Sequence, residues 1–159
     1  MATQHAVVTT RSTTGLAGRV LFTLLGAAGL VVAAFLQWWQ DTAGTDLTIE
    51  SLYQMTFSGT DDFVQTVGFA SIVLGLAALL GLAASTGWLT RLAGALGIAM
   101  VVLFGIQVYR DTSALDAIDV GAWLALAGGV VALLGGFLGR PVPVVTSRPV
   151  TDTADDDTY

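Results

Sequence analysis

The chain has 159 residues, enough for one domain, and 54% of them are hydrophobic while only 11% are charged. Soluble domains carry roughly 25% charged residues, so an ordinary soluble globule is excluded. The net charge is −6, with six arginines as the only cations besides the lone His5, and the lack of cysteine removes disulfides, thiolate metal sites and thiol nucleophiles.

Residues 1–18 read as a disordered cytoplasmic tail, because Met1 to Thr14 is polar, Thr-rich and without apolar periodicity. Residues 19–139 read as a four-helix transmembrane domain. Arg19 precedes an uncharged run over residues 20–39, and further apolar runs cover 64–84, 92–109 and 120–138. Each is about 18 to 21 residues, and at a rise of 1.5 Å per residue such a run spans the hydrocarbon core of about 30 Å. A cleaved signal peptide is the rival for the first run. It is disfavoured because the run exceeds an h-region of roughly 7–15 residues, and no A-x-A site precedes Gln37-Trp38-Trp39. The link from Ser85 to Arg91 is short, so the second and third spans form an antiparallel hairpin. Residues 140–159 change character. Three prolines exclude a helix at first, and the acidic, Thr-rich end reads as a second disordered cytoplasmic tail.

Four spans put both termini on one side, and arginine placement selects the cytoplasm. Arg11, Arg19, Arg91, Arg140 and Arg148 then lie inside, and only Arg110 lies outside. Eight acids fall on the outer side: Asp41, Asp46, Glu50, Asp61 and Asp62 in the first loop, and Asp111, Asp116 and Asp119 in the second. The expected location is the plasma (inner) membrane. Trp38, Trp39, Tyr109 and Trp123 are expected to anchor the outer interface, and Trp88 the inner one, because Trp and Tyr favour the headgroup level.

The first outer loop, from Gln40 to about Phe63, holds one segment that is not an ordinary polar loop. Over Leu47 to Phe57, helical spacing gives a stripe at Ile49, Leu52, Tyr53 and Phe57 with Asp46 or Thr48 as N-cap, and strand alternation fits nearly as well. A short amphipathic helix on the membrane surface or across the bundle mouth is expected. Asp41, Asp46, Glu50, Asp61 and Asp62 are candidate cation ligands, although no EF-hand spacing is present.

The last span carries small residues at Gly121, Ala125, Gly128, Ala132, Gly135 and Gly139, in steps of four and three. Such a stripe runs along one face of a helix and lets backbones approach closely in lipid. A second, partial stripe runs through Ala122, Gly129 and Gly136, so two neighbours are expected, within the chain or in an oligomer. No span contains an ionisable residue. Its interior polar groups are Thr23 and Ser71, whose hydroxyls can bond their own helix carbonyls, with Gln37 and Gln107 near the outer ends.

A pump or proton-coupled transporter needs buried ionisable groups, and no Walker loop, G-x-S-x-G or H-E-x-x-H is present. We therefore expect an all-α, non-enzymatic multi-pass membrane protein without cofactors, acting through contacts as an accessory subunit or scaffold. The alternative is a transport-related role, as an oligomeric small channel or a cation-binding accessory with an acidic outer mouth. The expected partners are the lipid bilayer and other membrane proteins or a second copy, and not nucleic acid.

Two stretches carry a family resemblance: Phe35-Leu-Gln-Trp-Trp39 leaving the first span, and Gly121-Ala-Trp-Leu-Ala-Leu-Ala-Gly-Gly129 opening the last. Over roughly residues 19–140 the chain resembles the small tetraspan membrane proteins common in high-GC bacteria, a resemblance that implies the four-span fold and no activity. The layout is also similar to claudin-like tetraspans, but their paired loop cysteines are missing, so nothing is carried over.

Overall fold

The computed structural model describes residues 13–54, 59–83, 87–112 and 116–138, with backbone only for 13–15. Both expected tails, apart from residues 13–18, lie outside the described residues, as do Gly139, Phe57 and residues 84–86. Four α-helices form the body: α1 (Thr13–Ala34), α2 (Val67–Ala83), α3 (Trp88–Thr112) and α4 (Val120–Phe137). Between α1 and α2 the chain makes a two-stranded antiparallel ribbon, β1 (Gln37–Trp39) and β2 (Thr42–Ala43), and two 3₁₀ turns, Ile49–Leu52 and Phe63–Gln65.

Each helix packs on the next, and α1 closes the ring against α4, while the α1–α3 diagonal is slight. Successive helices run antiparallel. The start of α1 meets the end of α2 through Arg19 and Gly81, and the start of α3 meets the end of α4 through Arg91 and Gly136. This is the up-down-up-down bundle. Three helices, Leu16–Ala34, Trp88–Thr112 and Val120–Phe137, are long and apolar enough to cross a membrane. Helix α2 is apolar but shorter, at 17 residues or about 25 Å.

The helix limits differ from the apolar runs for local reasons. Helix α1 starts at Thr13, inside the expected tail, because residues 13–18 hold neither charge nor proline and each residue added to a helix gains a hydrogen bond. It stops at Ala34, five residues before the apolar run ends. Phe35 N and Leu36 N donate to Val32 and Ala33 in tight i−3 bonds, and Gln37-Trp38-Trp39 then pairs as strand β1. The ribbon turns at Gln40 and Asp41, both with positive φ (39° and 67°), the backbone that a type I′ hairpin requires. Helix α3 begins at Trp88, ahead of the run expected from residue 92, and so includes Arg91 in its first turn.

The expected amphipathic helix is instead a four-residue 3₁₀ turn flanked by bridges, Leu47 to Gly59 and Thr48 to Thr66. Three residues per turn bring Thr48 and Ser51 onto one face, and these two are buried, with Ser51 Oγ donating to the Thr48 carbonyl at 2.7 Å. Ile49 and Tyr53, expected on the apolar face, are exposed.

The core has two parts. At the ribbon end, Leu30, Trp38, Leu47, Val67, Phe104 and Val108 pack as large side chains. At the arginine end the buried cluster is Ala27, Ala78, Ala93 and Ala132 alone, so the helices there meet nearly backbone to backbone.

Candidate functional site

The bundle's two ends differ in chemistry. At one end Arg19 is buried, and its Nη2 donates to the Gly81 carbonyl at 2.9 Å. Arg91 Nε donates to the Gly136 carbonyl at 2.7 Å, and its guanidinium lies 4.7 Å over the Phe137 ring. Gly81 and Gly136 belong to the last turns of α2 and α4, where carbonyls lack helical partners and the helix dipole is negative. Each arginine rises from the opening turns of the preceding antiparallel helix to cap its neighbour. In the sequence both residues mark topology alone. Their position at span starts, next to span ends, was the available signal for a capping role.

At the opposite end the ribbon, the 3₁₀ turns and the segment before α4 are stitched together. Val67 N donates to Leu47, Gly68 N to Gly44, and Asp119 N to Trp38, with Trp39 bridged to Ile118. All eight acids of the two expected outer loops lie at this end, Asp119 half-buried and the others exposed. Asp41 accepts from Gln37 Nε2 at 3.2 Å, and Asp62 accepts from Val64 N and Gln65 Nε2, capping the second 3₁₀ turn. The five candidate cation ligands are not gathered. Among the described residues no group of three His, Cys, Asp or Glu side chains is placed to hold a metal. This end presents a spread acidic surface.

The small residues of α4 face two neighbours. A Cβ at Gly128 would lie 2.9 Å from Leu30 N, and one at Gly135 would lie 2.9 Å from Thr23 N, so the first stripe meets α1. Ala132 abuts Gly26 on the same side. Gly121 lies against the ribbon, and Ala125 is fully buried. Gly129 and Gly136 of the second stripe lie against Gly94, Ile98 and Arg91 of α3. Backbone close approach of this kind is how helices associate where lipid removes the hydrophobic drive.

The aromatic residues divide. Trp88, Tyr109 and Trp123 are more than half exposed. Trp38 has 0% exposure, with its indole N–H donating to the Ala33 carbonyl at 2.7 Å and its ring edge-on to Phe104 at 5.5 Å, and Trp39 is also buried. The two interior hydroxyls also depart from expectation. Ser71 Oγ donates across the α1–α2 contact to the Leu30 carbonyl at 2.7 Å, not within its own helix. Thr23 Oγ1 is buried without a hydrogen-bond partner among the described residues, as is Gln107 Oε1. Periodicity carries no signal for either.

The fold thus defines a bundle of antiparallel helices, three of them long and apolar enough to cross a membrane, clasped at one end by a β-ribbon. No protein-family model, curated protein or solved structure matches the chain.

Proposed function

We propose that the chain is a four-span plasma-membrane protein with both termini in the cytoplasm, acting without catalysis as an accessory subunit or scaffold of a membrane complex. One observation carries this reading: among the described residues the charged groups are confined to the two ends, Arg19 and Arg91 at one and the acids with Arg110 at the other, while the flanks between them are apolar. Leu25, Leu80, Leu96, Val102, Ile106 and Leu134 are exposed along the helices. In water such flanks would form apolar patches far beyond what soluble monomers show, whereas lipid covers them at no cost. The arginine end fits the cytoplasmic side by the positive-inside rule. The acidic ribbon end, supported by main-chain pairing, offers a fixed outer surface for contacts.

The lack of cysteine gives a direct test. Single cysteines at Asp61 and at Trp88 of the full chain are expected to react with an impermeant maleimide from the outer and the cytoplasmic side respectively, and the reverse labelling overturns the orientation. Crosslinking in native membranes, followed by identification of the captured chains, tests the scaffold role. A chain that purifies only as a monomer in mild detergent and captures nothing overturns that role.

A further inference from the structure

One groove on the flank of the bundle is not explained by packing within the chain. It runs between the second half of α3 and the start of α4, with a volume of about 390 Å³, lined on α3 by Val101, Gly105, Tyr109 and Arg110 and across from it by Ile118 and Trp123. Gly105 forms part of its wall. Other glycines on α3 and α4 sit where a Cβ would press on a neighbouring element, as at Gly94, Gly128 and Gly136. At Gly105 the nearest atom to a Cβ would be Ile118 Cδ1, 3.8 Å away, which is ordinary contact. Glycine inside a helix costs about 1 kcal/mol relative to alanine, and here the fold of the chain gives no reason for it.

We propose that this groove holds one acyl chain of a zwitterionic phospholipid of the phosphoethanolamine class, whose phosphate is bound by Arg110. The groove's length selects the occupant. Val101 and Arg110 are nine residues apart, a rise of about 13.5 Å, which matches one leaflet of a hydrocarbon core about 30 Å thick. An acyl chain spans one leaflet. A transmembrane helix from a partner or a second copy runs through both, and this groove ends halfway. The polar groups are arranged for a lipid as well: Tyr109 and Trp123 flank the end where headgroups lie, and Arg110 stands beside them. Among the described residues the Arg110 guanidinium has no hydrogen-bond or ion-pair partner. Charge selects the headgroup. Among the described residues Arg110 is the single cation beside eight acids at this end, Asp111 being its chain neighbour. A headgroup with net negative charge is repelled by that surface, whereas a phosphate with an attached ammonium is attracted at both positions.

The inference rests on the bilayer placement proposed above, and native mass spectrometry of the full-length protein in mild detergent tests it. Phosphatidylethanolamine and phosphatidylglycerol of equal chain length are the probes. The wild-type chain is expected to retain one phosphatidylethanolamine in preference to phosphatidylglycerol. Arg110→Gln should lower that occupancy about tenfold, the scale of one charge-assisted hydrogen bond. Gly105→Leu places its side chain on the groove wall and should lower it similarly, and Gly105→Ala, whose Cβ meets only ordinary contact, is the smaller variant that secures the fold. Equal retention of the two lipids, or unchanged retention in both Arg110→Gln and Gly105→Leu, overturns the proposal. A dimer that Gly105→Leu dissociates overturns it in favour of a second copy. Release of the chain from membranes by alkaline carbonate overturns the bilayer placement itself, a different result from indifferent lipid binding by a chain that stays embedded.

Discussion

Arg91 and Gly136 join the first turn of α3 to the last turn of α4, with the guanidinium Nε 2.7 Å from the glycine carbonyl and the cation over the adjoining Phe137 ring. A charged donor on an otherwise orphan helix carbonyl is worth about 1.5–3 kcal/mol, and a partly desolvated cation–π contact adds roughly 1 kcal/mol. Arg91→Ala should therefore lower the thermal midpoint of the detergent-solubilised protein, with Arg91→Lys intermediate because an ammonium lacks the planar geometry. An Arg91→Ala protein that melts like wild type removes the capping role.

Trp38 fits against Gly121, where a Cβ would stand 2.6 Å from the indole Cδ1 and 2.6 Å from the Gln37 carbonyl oxygen. Gly121→Ala must displace the ring or the ribbon, an overpacking cost of about 1–3 kcal/mol. A tryptophan-emission shift to longer wavelength, as the indole leaves its dry site, is the expected signal. Gly105→Ala, which meets nothing closer than 3.8 Å, should instead stabilise α3 by up to about 1 kcal/mol. Equal effects at the two glycines would contradict the packing described.

Two buried hydroxyls make an opposed pair. Ser71 Oγ donates to the Leu30 carbonyl, so Ser71→Ala should destabilise the α1–α2 contact by about 0.5–1.5 kcal/mol. Thr23 Oγ1 has no hydrogen-bond partner among the described residues, and Thr23→Val removes a desolvated group at nearly constant shape, so it should be neutral or stabilising. Thermal unfolding of the two variants side by side decides the matter, and a loss at Thr23 matching that at Ser71 shows that the threonine hydroxyl has a partner after all.

Helix number, antiparallel order and the small-residue faces of α4 were legible because they depend on local composition and on steps of three and four along one element. What was not legible depended on contacts distant in sequence. Nothing in Gln37-Trp38-Trp39 shows that the helix stops at Ala34. That outcome follows from Trp38 having Phe104 to pack on and from Ile118 being available to pair with Trp39. The Thr48–Ser51 face was missed because the segment follows a period of three rather than 3.6, and a window of four residues cannot separate the two. The groove was invisible for a related reason. Val101, Gly105 and Tyr109 read as one more apolar helix face, and only the position of Ile118 and Trp123 across from them makes a cleft.

The division of the core into an alanine layer and a Trp–Phe layer sets where this sequence can drift. At the arginine end Gly26 abuts the Ala132 main chain, and Gly81 abuts both the hydroxyl and the main chain of Thr90, so a methyl added at either glycine meets backbone atoms with no rotamer to yield. At the ribbon end the same space is divided among Leu30, Trp38, Leu47, Phe104 and Val108, whose volumes can be redistributed in compensating exchanges. Viable sequences should accordingly be near-invariant in residue size along the first layer and interchangeable in the second. An engineer seeking to carve a new binding cavity into this scaffold should begin beneath the ribbon.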